Sequence, residues 1–335
     1  MTVRLSDVIV PEVFYPYMQN ATTAKSAIFS SGILRSDADL AKKLAGGGRT
    51  FNVPFWNDLD DAESDIGDDD PTNDATPGGI TTGKDIARRQ VRTRGWSTTR
   101  LVAELAGDDP VKAIGNRVGD YWTRQFQAIL VNTLRGVFAD NIANDSSDMV
   151  NDIGTDANST PGAAELVSAD AILDTRQTMG DALEALDTII MHSVIYTRLG
   201  KQNLIDFIPN SEGKAIFPSY LGYRVVIDDG CPAIAGTYRT KYHTYLVGKG
   251  AVGWAEHKLP NAVSTDNDES AAGGMGVEEL WTRRSFAMHP YGIKFTDSSV
   301  AGEFPTNTEL RTAANWNRVY AERKQIKMAL LITNG

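Results

Sequence analysis

An unbroken run of apolar residues at helical spacing in the second quarter of the chain constrains the fold more than any other feature. Asp108-Asp109-Pro110 supplies a carboxylate cap and a proline for a first turn. Val111, Ile114, Val118, Trp122, Phe126, Ile129, Leu130, Leu134, Val137 and Phe138 then keep the helical period. Lys112, Arg117, Asp120, Arg124 and Arg135 fall mostly on other faces. The pattern predicts one helix to about Ala143, on the order of 50 Å long at ~1.5 Å per residue. Gly115, Gly119 and Gly136 weaken or bend it, each by up to ~1 kcal/mol relative to alanine. With Ile114, Val118, Trp122, Phe126 and Ile129 as its expected core face, such a helix is a spine for a flat molecule more than the core of a compact enzyme.

Ahead of the spine the charge inverts. Asp58, Asp60, Asp61, Glu63, Asp65, Asp68, Asp69, Asp70 and Asp74 are nine carboxylates with no basic residue among them, in a turn-rich stretch from Asn57 to Gly79. Lys84, Arg88, Arg89, Arg92, Arg94 and Arg100 follow, facing only Asp85 before Glu104. A long loop with too few apolar residues to bury itself is disordered or a functional projection. The succession of opposite charges predicts a two-stranded projection docking on a neighbouring copy, with Asp68, Asp69, Asp70, Lys84, Arg88, Arg89, Arg92 and Arg94 as candidate contacts. The alternative is a solvated loop whose charges serve solubility.

Residues 1 to 45 suggest an extended arm ending in a short helix, capped by Ser36 or Asp37, with Leu40 and Leu44 on one face and Gly46-Gly47-Gly48 as stop and hinge. Phe51 to Trp56 alternates like a strand, which Pro54 confines to an edge. Beyond the spine, residues 144 to 167 suggest a loop, and Ala169 to Leu186 a second amphipathic helix. Thr188 to Met191 suggests a buried strand, and Val194 to Leu199 a short helix. Strands are predicted over Tyr223 to Ile227, Thr244 to Val247, Ala251 to Trp254 and Val277 to Met288. A helix-like segment at Asn315 to Tyr320 and a strand closing at Leu331 to Gly335 end the chain.

At 335 residues the chain is long enough for two or three packed units. A net charge of −10 leaves it without the basic surface that phosphate neutralisation requires, although an acidic wall is compatible with enclosing DNA. Cys231 is the single cysteine, and His192, His243, His257 and His289 have no ligand spacing, so no metal or cofactor is expected. Neither a signal peptide nor a membrane-spanning run is recognisable, and cytosolic synthesis follows.

Two segments approach nucleotide-binding motifs. Gly78-Gly-Ile-Thr-Thr-Gly83-Lys84-Asp85 has Asp85 where a phosphate loop needs a hydroxyl, and an acidic loop precedes it. Gly248-Lys-Gly250-Ala-Val-Gly253 follows a strand, but Pro260 leaves no room for the helix that would hold a pyrophosphate. A cytosolic nucleotide-dependent enzyme using Lys84 or Gly248 to Gly253 is therefore a distant reading. The acidic run lacks the register of a calcium loop, and His289-Pro290 is expected to begin a strand.

The ends of the chain carry a resemblance. Pro11-Glu-Val-Phe-Tyr-Pro-Tyr-Met-Gln-Asn20 and Ser30-Ser-Gly-Ile-Leu34 at one end, and Phe286-Ala-Met-His-Pro-Tyr-Gly-Ile-Lys-Phe-Thr-Asp-Ser-Ser-Val-Ala-Gly302 with the closing strand at the other, resemble the major capsid proteins of tailed double-stranded-DNA bacteriophages. The resemblance implies a building block and not a catalyst, of α+β class with the Hong Kong-97-type fold. Its parts would be an N-terminal arm (1–48), an extended hairpin loop (49–105), a peripheral domain with the spine helix (106–186), an axial α/β domain (187–276) and a return to the peripheral domain (277–335). It implies pentamers and hexamers of the chain itself in an icosahedral shell assembled in the host bacterial cytoplasm. The other implied partners are a portal, scaffolding and decoration proteins, and packaged DNA bound without sequence specificity. An encapsulin-type nanocompartment shares the fold and is the nearest alternative.

Overall fold

The computed structural model describes residues 2–3, 28, 31–59, 62–67, 69, 72, 74, 76–106, 109–202, 206–209 and 215–335. Asp68, Asp70, Asp108 and the motif from Pro11 to Asn20 lie outside these residues.

The spine forms as the periodicity predicts. Helix α3 (Pro110–Asn144) is capped by Asp109, whose carboxylate accepts from the Val111 N–H. It follows two shorter helices, α1 (Ala38–Ala45) and α2 (Arg100–Ala106). Asp37 caps α1 by accepting from the N–H groups of Asp39 and Leu40.

Among the described residues, seven strands make a sheet in the order β1 (Thr2–Val3), β4 (Thr82–Thr99), β14 (Val277–Pro290), β12 (Val252–His257), β2 (Leu34–Ser36). Strand β13 (Val263–Asp268) pairs with β14, and β3 (Thr50–Trp56) pairs with β4. An eight-stranded sheet runs β5 (Val150–Asp152), β17 (Met328–Thr333), β11 (Thr240–Val247), β6 (Thr188–Met191), β9 (Tyr223–Ile227), β8 (Ala215–Tyr220), β7 (Asp206–Pro209), with β10 (Ala233–Ala235) on β11. A short ribbon joins β15 (Ile293–Phe295) to β16 (Trp316–Arg318).

The eight-stranded sheet is covered on both faces, which explains its near-continuous apolar strands. In β17, Met328, Leu330 and Ile332 join Trp122, Leu130, Phe138 and Tyr245 in the core under α3. Ala329 and Leu331 alternate to the other side. There they meet Ile172 of α4 (Ala169–Gln177) and Ile195 and Leu199 of α5 (Ser193–Lys201). A third cluster joins Leu40 and Leu44 of α1 to Phe51, Ala87, Ala255 and Ala287, where β3, β4, β12 and β14 meet.

Four sequence expectations need correcting. The second amphipathic helix stops at Gln177: Gly180 sits at φ 59° in the following turn, and Leu183 falls in a 3₁₀ turn. The segment at Asn315 to Tyr320 is a 3₁₀ turn leading into β16, because Trp316 to Arg318 pairs with β15. His289-Pro290 closes β14 instead of opening a strand. The segment at 144–167 contains β5, which pairs parallel to β17.

The expected core face of the spine also divides. Trp122, Phe126 and Ile129 are buried, Val118 packs half-buried against their cluster, and Ile114 is half-buried outside it. From Phe126 to Asn141 the helix is buried around most of its circumference. The helix there touches β5, β16 and the short helix α6 (Asn307–Leu310). A single apolar stripe describes only part of it.

Candidate assembly surface

Strand β4 changes partner along its length. Residues Thr82 to Arg88 pair with β3, from Trp56↔Thr82 to Thr50↔Arg88. Residues Arg89 to Thr99 pair with β14, from Arg89↔Ala287 to Thr99↔Val277. The β3–β4 hairpin therefore leaves the ladder with β14 at Arg88 but stays packed on the body through the buried Ala87 and Asp85 before it projects. Pro54, having no N–H to give, sits opposite Lys84. Gly83 lies flush under Phe55, where a Cβ would collide with the ring.

Beyond the ladder the hairpin continues through the acidic segment, and its apolar residues are bare. Trp56 is 68% exposed, Leu59 67%, Ile66 87% and Ile80 51%. Exposed large apolar side chains gathered on one projection mark a surface that another molecule covers. In the sequence the carboxylates dominate this segment and mask these residues. Their signal is visible in retrospect as single bulky aliphatics set in an acidic loop.

The basic block divides in the structure. Lys84 and Arg94 are exposed, as is Asp69 on the acidic side. Arg88 is buried and clasps the following loop: its Nη1 lies 2.7 Å from Asp297 Oδ2, and its Nη2 donates to the Glu303 carbonyl at 2.8 Å. Arg89 donates to the Leu44 carbonyl at the end of α1. Arg92 donates to Asn307 Oδ1 at 3.1 Å. Burial pushes the Arg88 and Arg92 guanidinium pKa values down, and Asp297 and Glu309 respectively push them back up. Three of the candidate contact arginines thus make bonds within their own subunit. No local sequence signal pairs Arg88 and Arg92 with a loop some 200 residues on, or Arg89 with the end of a helix 45 residues earlier.

The two nucleotide-like motifs lack the setting they need. Gly83 to Asp85 lies inside β4, and the chain continues from it as strand to Thr99 instead of opening a helix. Gly248 to Gly253 turns from β11 into β12, with Gly250 at φ 69°. Among the described residues no group of three or more ligating side chains could hold a metal ion. No helix there is long and apolar enough to cross a membrane.

Just past β9, Asp228 accepts from Gln127 of α3 and from the Gly230 N–H, and burial raises its pKa. Cys231 is buried beside it, with its thiol pushed well up by desolvation. Neither is placed to act as an exposed nucleophile or acid.

Comparison with known proteins agrees with a shell subunit. The structure is similar to a subunit of the cyanophage Pam1 capsid, with a TM-score of 0.60 at 12% identity, covering 97% of this chain and 96% of that one. It is also similar to the capsid of Ralstonia phage GP4, with a TM-score of 0.55 at 11% identity, covering 84% and 92%. At these identities the likeness establishes the fold, which is of the Hong Kong-97 type. Sequence carries the relation further, since the chain is 41% identical over 324 residues to the major capsid protein of Bacillus phage SPP1, spanning 96% of this chain and 95% of that protein. Residues 47–327 match the family described as major capsid protein 13-like, so the chain belongs to the Gp13-like major capsid proteins.

Proposed function

We propose that copies of this chain associate edge to edge into pentamers and hexamers and close an icosahedral shell around phage double-stranded DNA. The β3–β4 hairpin of each overlaps its neighbour. The observation that carries this reading is the bare apolar surface of the hairpin, which a subunit destined to stay monomeric would not maintain. The half-buried start of α3, with Val111, Ile114 and Val118 flanked by Lys112, Arg117 and Arg124, offers an apolar and basic complement to an acidic, apolar loop. In this reading the eight-stranded sheet with α4 and α5 is the axial domain, and the seven-stranded sheet with the spine is the peripheral domain. DNA is enclosed by an acidic wall that does not hold it, and it enters through a portal. Scaffolding and decoration proteins are the remaining partners of this scheme. Family membership favours the phage shell over an encapsulin-type nanocompartment.

Deleting residues 58–76 tests the reading. None of the segment's described residues belongs to the three cores, so the variant should fold with parental circular dichroism yet fail to form stable shells by sedimentation and negative-stain microscopy. Shells of parental size and heat resistance would remove the hairpin from the neighbour contact.

A further inference from the structure

The hairpin leaves the body through a buried polar pair that the assembly scheme does not use. Asp85 and His289 are each 2% exposed and come from strands 204 residues apart in sequence. His289 Nε2 lies 2.8 Å from Asp85 Oδ2, and the same oxygen accepts the Gly292 N–H at 3.0 Å. Asp85 Oδ1 accepts the Ile86 N–H at 2.8 Å. An ionised carboxylate can only accept, so with Asp85 ionised the proton of the pair is assigned to Nε2.

The position of this pair gives it leverage. The β4–β14 ladder ends at Arg89↔Ala287, whereas on the other edge of β14 the ladder with β12 runs on from Ser285↔His257 to Pro290↔Val252. Asp85 is four residues beyond the last rung, on the part of β4 that pairs only with β3. Around it, Phe55 meets Tyr320 edge-on at 4.9 Å, and Tyr291 donates to Asp37 Oδ2 at 2.7 Å. The ring pair fills space and the Tyr291 bond ties β15's approach to the cap of α1, whereas the Asp85 carboxylate ties β4 itself, at the root of the hairpin, to both His289 and the Gly292 backbone.

We infer that Asp85 and His289 are positioning residues, a buried clasp that sets the angle at which the hairpin leaves the subunit and so aims it at the neighbouring copy. The inference rests on the proposed overlap of the hairpin with a neighbour. Hydrogen bonds fix direction in a way that apolar packing does not, and replacing both members of a buried pair by apolar residues is often neutral for stability. Removing one member alone leaves the other buried and unsatisfied.

The test is made first on unassembled subunits, with spin labels on Thr82→Cys and Lys258→Cys and the distance between them measured by pulsed electron resonance. Both positions are exposed, and buried Cys231 does not take the label. The parent should give one narrow distance. His289→Gln, which keeps a donor near the Nε2 position, should retain it, and Asp85→Ala and His289→Ala should lose it. The Asp85→Leu/His289→Leu pair decides between aiming and mere stability, since it should recover the parental melting temperature while the distance stays broad. Recovery of the narrow distance in that double variant would overturn the clasp, as would a narrow distance in the alanine variants. If the distance broadens and shells nevertheless form normally, the clasp stands and the overlap with the neighbour falls.

Discussion

Arg88 shows how one residue can read differently in sequence and in structure. In the sequence it belongs to a basic block facing an acidic one. In the folded chain it is buried and holds Asp297, at φ 62°, and the Glu303 carbonyl against the root of the hairpin. Arg88→Ala would leave that loop without its buried donor, and chemical denaturation of the unassembled subunit should register a loss of roughly 2 kcal/mol. An unchanged midpoint would mean that the loop holds itself. A second residue carries a pH dependence. Burial, reinforced by Arg135, pushes the His243 pKa down to about 4 from the ordinary 6.5 of a histidine. The unfolded chain therefore takes up the proton first, so stability is full above the unfolded pKa and falls as pH drops through the interval towards 4. By pH 5 the loss attributable to this residue reaches about 2 kcal/mol. Melting curves at pH 7 and pH 5 should show a smaller shift for His243→Gln than for the parent, and equal shifts would assign the acid sensitivity elsewhere.

At the scale of the element, the spine depends on contacts along one segment only. Trp122 is buried, donates from Nε1 to Thr282 Oγ1 at 3.1 Å, and packs on Tyr121 and Phe126. Trp122→Ala removes that aromatic where α3 crosses the seven-stranded sheet and should cost ~3–5 kcal/mol, a large share of a typical domain's margin. Aggregation or rapid proteolysis of the variant is the outcome to look for. Ile114→Ala, two turns earlier on a half-buried face, should leave the subunit's melting temperature nearly unchanged. If both substitutions behave alike, the helix is packed evenly along its length. The elements that were legible in the sequence share a property: helix α3, helix α1 with its Asp37 cap and the apolar run of β6 each carry their signal in consecutive residues. The strand at Trp316 to Arg318 does not, because its identity depends on pairing with Ile293 to Phe295 across twenty intervening residues that include α6.

For the whole molecule, the hairpin's charge is the quantity that assembly should sense. Each exposed ion pair between copies is worth only ~0–1 kcal/mol, but repetition around a shell makes the total sensitive to salt, and ~1 M salt shortens the Debye length to about 3 Å. Light scattering should show slower assembly at high salt. Reversing the exposed Lys84 and Arg94 to glutamate should reproduce the defect at low salt without lowering subunit stability. A doubly reversed variant that assembles like the parent would show that these charges are merely solvated. These two residues are the ones to reverse because Arg88, Arg89 and Arg92 are engaged within the subunit. By itself, the sequence determined the long helix, the projecting hairpin and the capsid resemblance, since periodicity, caps, turn residues and terminal motifs are local or contiguous. Only the tertiary structure decided which arginines remain free, where the spine is buried, and that Asp85 meets His289, because burial and pairing are created by segments that the chain brings together from far apart.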